Sequence, residues 1–284
     1  MADQKQESIL AGCTVYLSGP MDFLALPREE EARHGWRARV GQFLRKYHVH
    51  VLDPWHKPEI RALHDYGKED ANSTENRDRW TFETSDSASA LRAEICHSYW
   101  PTVHIDLRMV DKSDFLIAFC PTNTYSVGTV HEIALARQQH KPVLFVSPPI
   151  ALDSLATLQN HLETRSDGEG LDLLKKLRQE QPMKVNLNGA PSVWYMGLLP
   201  GDYFFSNFGF DQFRAEYGWE ETALDSLDRQ VPLGHQRSLL SYLAELDRQI
   251  PDRFDPQLGH TVPNDDWLIF EKGRKTKASQ PVTE

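Results

Sequence analysis

Three polar residues between His104 and Ser147 are placed where an α/β protein holds reactive groups. Asp106 lies in a stretch typical of a helix, Ser126 in a polar loop after an apolar run, and Glu132 at the start of the next helix. Open parallel sheets bind their ligands just beyond the carboxyl ends of the strands, which is where this loop and helix fall. The spacing therefore predicts an enzyme site that contains two carboxylates.

Glu132 has two interpretations. Thr129 and Glu132 fit the S/T-x-x-E capping box, in which the glutamate side chain returns a hydrogen bond to the helix N-terminus. A carboxylate that the same N-terminus keeps ionised can also attack an anomeric carbon, with no metal and no separate base in the first step. The spacing supports both interpretations equally, and they do not exclude one another.

The other acidic residues of the segment are interpreted mainly as residues that stabilise the helices and strands. Asp106 falls in the first turn of a helix predicted to start near Thr102, where an aspartate stabilises the helix dipole and is more often structural than functional. Asp111 and Asp114 are interpreted as residues at a helix end and at the start of a strand, with no chemical role.

Tyr16 lies in a short β-branched and aromatic run, Thr14–Ser18, that predicts a strand. A buried tyrosine hydroxyl needs a hydrogen-bond partner, and a nearby glutamate is one candidate. The turn after this strand contains neither G-x-G-x-x-G nor G-x-x-x-x-G-K-[ST]. The absence of the first motif argues against a dehydrogenase, and the absence of the second argues against a nucleoside triphosphatase.

A metal centre and a nucleophilic cysteine are both disfavoured. His97, His104 and His131 lie near the two carboxylates in sequence, but no H-E-x-x-H and no paired C-x-x-C is present. The cysteines are odd in number and are interpreted as reduced packing residues: Cys13, Cys96 and Cys120. We expect no metal and no cofactor.

The composition fits one large globular domain, or one domain with a substantial extension. The chain has 284 residues and a formal net charge of −10. It has no basic stripe, which excludes duplex nucleic acid as the expected partner but leaves room for a small anionic ligand. The first residues, MADQKQES, lack secretory-signal character, and the apolar runs are too short to span a bilayer. We therefore expect a cytoplasmic protein.

Strands alternate with helices in the first half of the chain, which predicts βαβ units and a parallel sheet. A helix over Glu29–Tyr47 has one apolar face, with Arg37 and Arg39 assigned to its solvent side. Val130 and Ile133 are assigned to the inner face of a later helix. Four runs are typical of strands: Thr14–Ser18, Val49–Leu52, Phe115–Phe119 and Pro142–Val146.

Two regions depart from this alternation. Residues 56–100 are interpreted as an insertion with one helix near Ala88–His97, and residues 151–270 as an extension followed by a disordered tail over 271–284. Aromatic residues between Trp194 and Trp219 are interpreted as a small core or a dimer interface, with a wall of the ligand pocket as the less favoured alternative. The extension is predicted to contain two helices, a strand and a further helix: Asp153–Glu163, Gly170–Gln179, Val193–Leu198 and Ser238–Ile250.

Five runs resemble the nucleoside 2-deoxyribosyltransferase superfamily: YLSGP, LDP, DLRMVDKSDFLIAF, SVGTVHEIALA and KPVLFV. The paired elements D-L-x-x-[IV]-x-x-[SA]-D and G-x-x-x-E-[IL]-x-x-A carry the likeness, which covers roughly Thr14–Val146 without the insertion. The resemblance implies a flavodoxin-like, doubly wound parallel sheet over residues 12–150, followed here by an aromatic-rich helical extension.

The resemblance also implies cleavage of an N-glycosidic bond through a covalent glycosyl–glutamate intermediate. Glu132 matches the family nucleophile, Asp106 the acid that serves the leaving base, and Tyr16 the tyrosine that contacts the nucleophile. The expected partners are a small nucleoside or nucleotide and further copies of the chain in a homo-oligomer. The implied substrate-binding residues are Ser18, Gly19, Pro20, Met21, Asp22, Ser126 and Gly128.

Ser126 departs from the pattern of the deoxyribosyltransferases. Those enzymes have an aspartate six residues before the nucleophile, whereas serine at this position is typical of the superfamily's nucleoside 5′-monophosphate N-hydrolases. A hydroxyl can donate a hydrogen bond to phosphate, whereas a carboxylate repels it. The sequence therefore favours a nucleotide hydrolase, although those hydrolases have small polar residues where this chain has Pro20.

Two other function classes stay open. One is a TIR-like glycohydrolase that acts on NAD or a nucleotide derivative, again with a glutamate. The other is a non-catalytic module that binds or senses a nucleotide, with Glu132 only a helix cap. The sequence leaves the base, the sugar and the acceptor undetermined.

Overall fold

The central sheet contains five strands: β1 (Thr14–Ser18), β2 (His50–Leu52), β3 (Phe115–Phe119), β4 (Val143–Val146) and β5 (Phe204–Phe205). They pair in parallel in the order β2–β1–β3–β4–β5. The chain starts inside the sheet, moves to one edge and returns to build the other side, which is the flavodoxin-like order. The predicted fold class is confirmed.

The structure is a computed structural model. It describes residues 10–21, 28–57, 75–121, 126–149, 152–180, 192–199, 203–211, 238–247, 252–255 and 260–263. The candidate residue Asp22 and the predicted tail over 271–284 lie outside these ranges, as do parts of the predicted insertion and extension.

Helices cover both faces of the sheet. They are α1 (Arg28–His34), α2 (Trp36–Lys46), α3 (Asp86–Lys112), α4 (Val127–Gln138), α5 (Asp153–Thr164), α6 (Gly168–Glu180), α7 (Val193–Leu198) and α8 (Leu239–Asp247). A short 3-10 turn covers Pro54–His56, and an antiparallel pair, β6 (Asp252–Asp255) with β7 (His260–Pro263), is separate from the main sheet. No helix in the described ranges is long and apolar enough to cross a membrane.

Successive side chains of each strand point to opposite faces, and this alternation separates two apolar clusters. Val15 and Leu17 of β1 face the cluster that contains α2 and α8. Tyr16, between them, faces the cluster that contains residues of α3 and α4. Because Ser18 is two residues from Tyr16, it points to that same α3–α4 face. The strand thus aims one tyrosine and one serine hydroxyl at the helix that contains Glu132.

The prediction that Arg37 and Arg39 face solvent is wrong. Both side chains are buried, and the Arg39 guanidinium lies 3.8 Å from the ring centre of Phe210. Trp36 stacks on Phe208 at 5.4 Å between ring centres. Residues of the extension therefore cover the side of α2 that the helical pattern assigns to water.

The long helix α3 replaces two shorter predicted elements. It has 27 residues and passes through Pro101, with the Ser85 hydroxyl accepting a hydrogen bond from the Ala88 amide at 3.3 Å at its start. Thr102 is therefore inside the helix and does not cap it. Asp106 lies near the C-terminal end of α3, not in a first turn, so the dipole explanation for this aspartate is wrong.

The prediction of a strand at Val193–Leu198 is also wrong, because these residues form α7. The Ser192 hydroxyl accepts a hydrogen bond from the Trp194 amide at 3.2 Å, which caps the helix. The fifth strand is instead Phe204–Phe205, which pairs with β4. The helices predicted near Asp153–Glu163 and Gly170–Gln179 are present as α5 and α6.

Candidate active site

Both oxygens of the Glu132 carboxylate accept hydrogen bonds from β1. The Tyr16 hydroxyl donates to Oε1 at 2.8 Å, and the Ser18 hydroxyl donates to Oε2. All three side chains are buried. The tyrosine hydroxyl thus has the glutamate partner that the sequence suggested, and Ser18 is a second donor that it did not identify.

The capping-box interpretation of Glu132 does not match the structure. Helix α4 begins at Val127 with Ser126 at the N-cap position, and the Ser126 and Thr129 hydroxyls lie 2.6 Å apart. Glu132 follows on the buried stripe of the helix with Ile133, whereas Val130, predicted to face inward, is exposed. The carboxylate therefore points to the sheet and not back to the helix N-terminus.

Burial controls the acid–base properties of Glu132 and Tyr16. Desolvation raises the pKa of Glu132, while the hydrogen bonds from Ser18 and Tyr16 and the charges of Arg37 and Lys57 lower it. Desolvation, followed by the negative charge of Glu132, raises the pKa of Tyr16 well above its usual value. The phenol therefore keeps its proton and remains a hydrogen-bond donor to the carboxylate.

Asp106 enters the site from α3 and forms an ion pair with Lys57. The Lys57 Nζ lies 2.9 Å from Oδ1 and 3.0 Å from Oδ2. Desolvation, with a smaller contribution from the charge of Glu132, raises the pKa of Asp106 to about 6 against the opposing charge and hydrogen bond of Lys57. Asp106 consequently changes protonation close to neutral pH, as a group that donates and accepts a proton must.

A cavity of about 390 Å³ connects these groups. Asp106 lines it from α3 and Glu132 from α4, while Tyr16 and Ser18 lie behind Glu132 in the sheet. The other predicted binding residues in its lining are Gly19, Pro20, Met21, Ser126 and Gly128. The structure thus gathers in one place every predicted site residue that it describes.

The turn after β1 is held by Arg37. Its guanidinium donates to the carbonyl oxygens of Leu17 at 3.1 Å and Gly19 at 2.6 Å. Gly19 also needs its small size, since a Cβ there would lie 2.8 Å from the Trp36 ring. Sequence reasoning missed Arg37, although its spacing of three from Val40 places it beside the apolar stripe of the helix.

Lys57 is the second residue that sequence reasoning missed. Lys57 falls at the start of the predicted insertion over residues 56–100, where the sequence shows no periodic pattern. Its position just beyond the carboxyl end of β2, the neighbour of β1, is the available signal, because ligand sites of parallel sheets gather at that edge.

The histidines and cysteines do not form a metal site in the described ranges, where no three His, Cys, Asp or Glu side chains converge. His131 lines the cavity, and His104 contacts the Trp100 ring. Cys120 is buried behind the end of β3, and desolvation raises the pKa of its thiol to about 12. A thiol with such a pKa stays protonated near neutral pH and is a poor nucleophile.

Several aromatic residues of the extension pack inside the molecule, whereas Trp194 is exposed. Phe205, Phe208 and Phe210 belong to one apolar cluster, and Tyr195 contacts Phe145 at 4.6 Å between ring centres. The described lining of the cavity comes instead from the turn after β1, from α3 and from the start of α4. The buried aromatics agree with the interpretation as core, and the exposed Trp194 does not.

No protein-family model matches the chain, and a search of curated proteins finds no match. Among solved structures, a 2-deoxyribosyltransferase from Bacillus psychrosaccharolyticus is 19% identical, with a TM-score of 0.25 over 48% of this chain and 72% of that enzyme. A conserved protein from Enterococcus faecalis V583 is 18% identical, with a TM-score of 0.31 over 66% of this chain and 86% of that protein. At such scores neither likeness assigns an activity to this chain.

Proposed function

We propose that this protein cleaves the N-glycosidic bond of a nucleoside 5′-monophosphate or a nucleoside, with Glu132 as the nucleophile. The observation that carries the proposal is the Glu132 carboxylate, whose two oxygens accept hydrogen bonds from Tyr16 and Ser18 at the wall of the cavity. Two fixed donors hold the carboxylate in one orientation, which is what a nucleophile in a near-attack arrangement requires.

In the first step, a Glu132 oxygen bonds to the anomeric carbon while the bond from that carbon to the base nitrogen breaks. The bonding electron pair leaves with the base, and protonated Asp106 transfers its proton to the base. The products are free base, ionised Asp106 and a glycosyl ester of Glu132.

In the second step, water attacks the anomeric carbon and the ester oxygen returns to Glu132 as a carboxylate. Ionised Asp106 accepts the proton of the attacking water, which restores both groups to their starting state. A second base that attacks in place of water gives an exchanged nucleoside, which is the transferase outcome.

The size and the polar groups of the cavity support a small substrate. A volume of about 390 Å³ lies within the usual range of small-molecule sites. We assign the 5′-phosphate to the start of α4, where the Ser126 hydroxyl replaces the carboxylate that would repel a phosphate. The base then lies nearer Asp106, which serves its departure.

A panel of nucleosides, their 5′-monophosphates and NAD tests the proposal, each incubated with and without a competing free base. Free base alone indicates a hydrolase, an exchanged nucleoside indicates a transferase, and release from NAD alone contradicts the proposed substrate. A ligand that binds but stays intact supports the binding-module alternative and contradicts the proposal.

The matched variants are Glu132→Ala and Glu163→Ala, the latter at an exposed glutamate of α5. We expect Glu132→Ala to abolish base release with an unchanged circular dichroism spectrum, and Glu163→Ala to keep it. Full activity of folded Glu132→Ala contradicts the mechanism.

A further inference from the structure

Beyond the two carboxylates, we propose that Lys57 is a positioning residue of this site, which orients the Asp106 side chain and stabilises its ionised form. The kinetic consequence rests on the proposed function, whereas the effect on Asp106 itself can be measured without any substrate. Lys57 lies 49 positions before Asp106 in the chain, so local sequence gives no sign of the pair.

The geometry of the pair carries the inference. The Lys57 ammonium lies about equally far from both Asp106 oxygens, at 2.9 and 3.0 Å. The Lys57 side chain is 2% exposed and the Asp106 side chain 17% exposed. A buried ammonium requires a compensating charge, and the hydrogen bond to Oδ2 together with the ionic contact to Oδ1 restricts rotation of the carboxylate. The contact with Lys57 thereby holds the Asp106 carboxylate in one orientation, and Asp106 also lines the cavity.

The backbone before Lys57 is fixed by a capped turn. The Asp53 carboxylate accepts a hydrogen bond from the Trp55 amide at 3.0 Å, and Pro54 occupies the first position of the 3-10 turn. Trp55 is itself buried. The turn follows the last residue of β2 directly, so the sheet edge and the turn together set where Lys57 starts.

Four other elements bring charged or titratable groups to Asp106. Lys57 lies just after β2 and Arg37 lies on α2. Glu132 lies on α4 and Tyr16 on β1. Lys57 and Arg37 favour the ionised aspartate, and Glu132 opposes it. Lys57 makes the strongest of the favourable contributions, because it acts through both its charge and a hydrogen bond.

This balance matters because Asp106 has two tasks in the proposed reaction. It must hold a proton while the base leaves, and it must be ionised when water attacks. Burial alone drives it to the protonated form, and Lys57 restores access to the ionised form near neutral pH.

The direct test is a carbon-13 NMR titration of the aspartate carboxyl carbons in the full chain, with the Asp106 signal assigned by its absence in Asp106→Asn. We expect Lys57→Met to raise the pKa of Asp106 by about 1–3 units, the usual effect of removing an opposite charge at this distance. Lys57→Arg, which keeps the charge, leaves the titration close to that of the unmodified protein. An unchanged Asp106 titration in Lys57→Met overturns the proposal.

Lys141→Met is the matched control. The Lys141 ammonium donates to the carbonyl oxygens of Val110 and Asp111 on the same helix, at 2.6 and 2.8 Å. We expect this variant to change stability and to leave the Asp106 titration in place. An equal shift in both variants identifies a general disturbance of α3 and overturns the specific role of Lys57.

Lys57→Met leaves a buried aspartate without its partner and can therefore fail to fold. In that case Lys57→Met/Asp106→Asn decides the matter, because it removes both members of the pair. The double variant must be more stable than Lys57→Met; equal instability shows that Lys57 acts through another contact and overturns the proposal.

The kinetic arm measures base release against pH. If protonated Asp106 serves the leaving base, the rate of base release falls as the pH rises above the pKa of Asp106, which gives the pH–rate profile an alkaline limb. Lys57→Met then moves this alkaline limb to higher pH, by the same shift that the NMR titration measures. Lys57→Arg restores the original limb. Absence of base release in the unmodified protein contradicts the proposed function alone, whereas an unshifted limb beside a shifted titration contradicts the catalytic use of the pair.

Discussion

The Tyr16 hydroxyl donates a 2.8 Å hydrogen bond to the Glu132 carboxylate across 116 positions of the chain. Tyr16 lies in the second-from-edge strand, paired with Leu52 on one side and Leu116 on the other. A strand fixed on both sides cannot shift its side chains without breaking the sheet. The sheet therefore fixes the position of the Tyr16 hydroxyl, and the hydrogen bond from this hydroxyl fixes the position of the Glu132 carboxylate.

Tyr16→Phe removes this donor and leaves the ring in place. Because the hydrogen bond lowers the pKa of Glu132, its loss raises that pKa, and the acidic limb of the base-release profile moves to higher pH. We expect a fall in kcat of about 10²-fold, in the range reported for loss of one preorganised donor. Stopped assays of base release across pH measure both effects.

Tyr47→Phe is the control for this variant, since Tyr47 packs against the cluster on the other face of the sheet. It should keep both the rate and the position of the acidic limb. A Tyr16→Phe profile that matches the Tyr47→Phe profile removes Tyr16 from the proposed mechanism.

Arg37→Met is expected to loosen the turn that forms the cavity wall. The substitution leaves the carbonyl oxygens of Leu17, Gly19 and Pro20 without their donor. We expect the free energy of unfolding to fall by about 2–4 kcal/mol, with KM rising more than kcat falls. Urea denaturation and initial-rate kinetics measure the two effects.

Arg33→Met on α1 is the comparison, because Arg33 is exposed and its distance to Glu29 is 3.9 Å. Its free energy of unfolding should stay within about 0.5 kcal/mol of the unmodified value. If Arg37→Met is equally mild, the carbonyl contacts of Arg37 do not stabilise the turn.

Ser126→Asp tests the assignment of the 5′-phosphate. The new carboxylate at the N-cap of α4 would repel a phosphate but would accept hydrogen bonds from a sugar hydroxyl. We expect kcat/KM to fall at least 10²-fold for a nucleoside 5′-monophosphate and much less for the nucleoside, while Ser126→Ala lowers the monophosphate value only modestly. Equal losses for both substrates place the phosphate elsewhere.

The raised pKa of Asp106 predicts how stability depends on pH. Its folded pKa of about 6 exceeds the usual value of 3.8, so the folded state binds the proton more tightly than the unfolded state. The contribution to stability is therefore largest at low pH and is lost as the pH rises from about 4 to about 6. The shift corresponds to about 3 kcal/mol.

Asp106→Asn should remove most of that slope, because the amide does not titrate. Urea denaturation of both proteins at several pH values between about 4 and 7 measures the difference. Parallel curves for the two proteins would show that Asp106 titrates alike in the folded and unfolded states.

The apolar runs predicted the sheet because their signal is local. An uninterrupted run such as Phe115–Phe119 has few alternatives to a strand buried on both faces, and it is wholly buried. The helix α4 shows the limit of this approach. Its inner face contains Thr129 and Glu132 and excludes Val130, because polar side chains occupy the buried stripe at the site.

The remaining differences come from contacts over long sequence separations. The burial of Arg37 and Arg39 depends on aromatic residues of the extension, such as Phe208 and Phe210, which no pattern within α2 reveals. The continuity of α3 through Pro101 is likewise hidden from local patterns, because a proline inside a helical run normally predicts a break or a kink. Lys57 reaches Asp106 only because β2 and α3 meet at one edge of the fold.

For the candidate site, the sequence and its family resemblance named both carboxylates, Tyr16 and Ser126. The structure describes these residues around one cavity or directly behind it. Their roles in catalysis stay predictions. The supporting groups Lys57 and Arg37 were missed because their partners are backbone or side-chain atoms far away in the chain.

The central claim is that Glu132 forms a covalent bond with the sugar, and acid-quenched mass spectrometry tests it most directly. The protein is mixed with a nucleoside 5′-monophosphate that releases base, quenched within one turnover and digested. The account predicts a sugar-phosphate adduct on the peptide that contains Glu132, absent in Glu132→Ala. Release of base with the adduct on another residue, or undiminished release by folded Glu132→Ala, would contradict it.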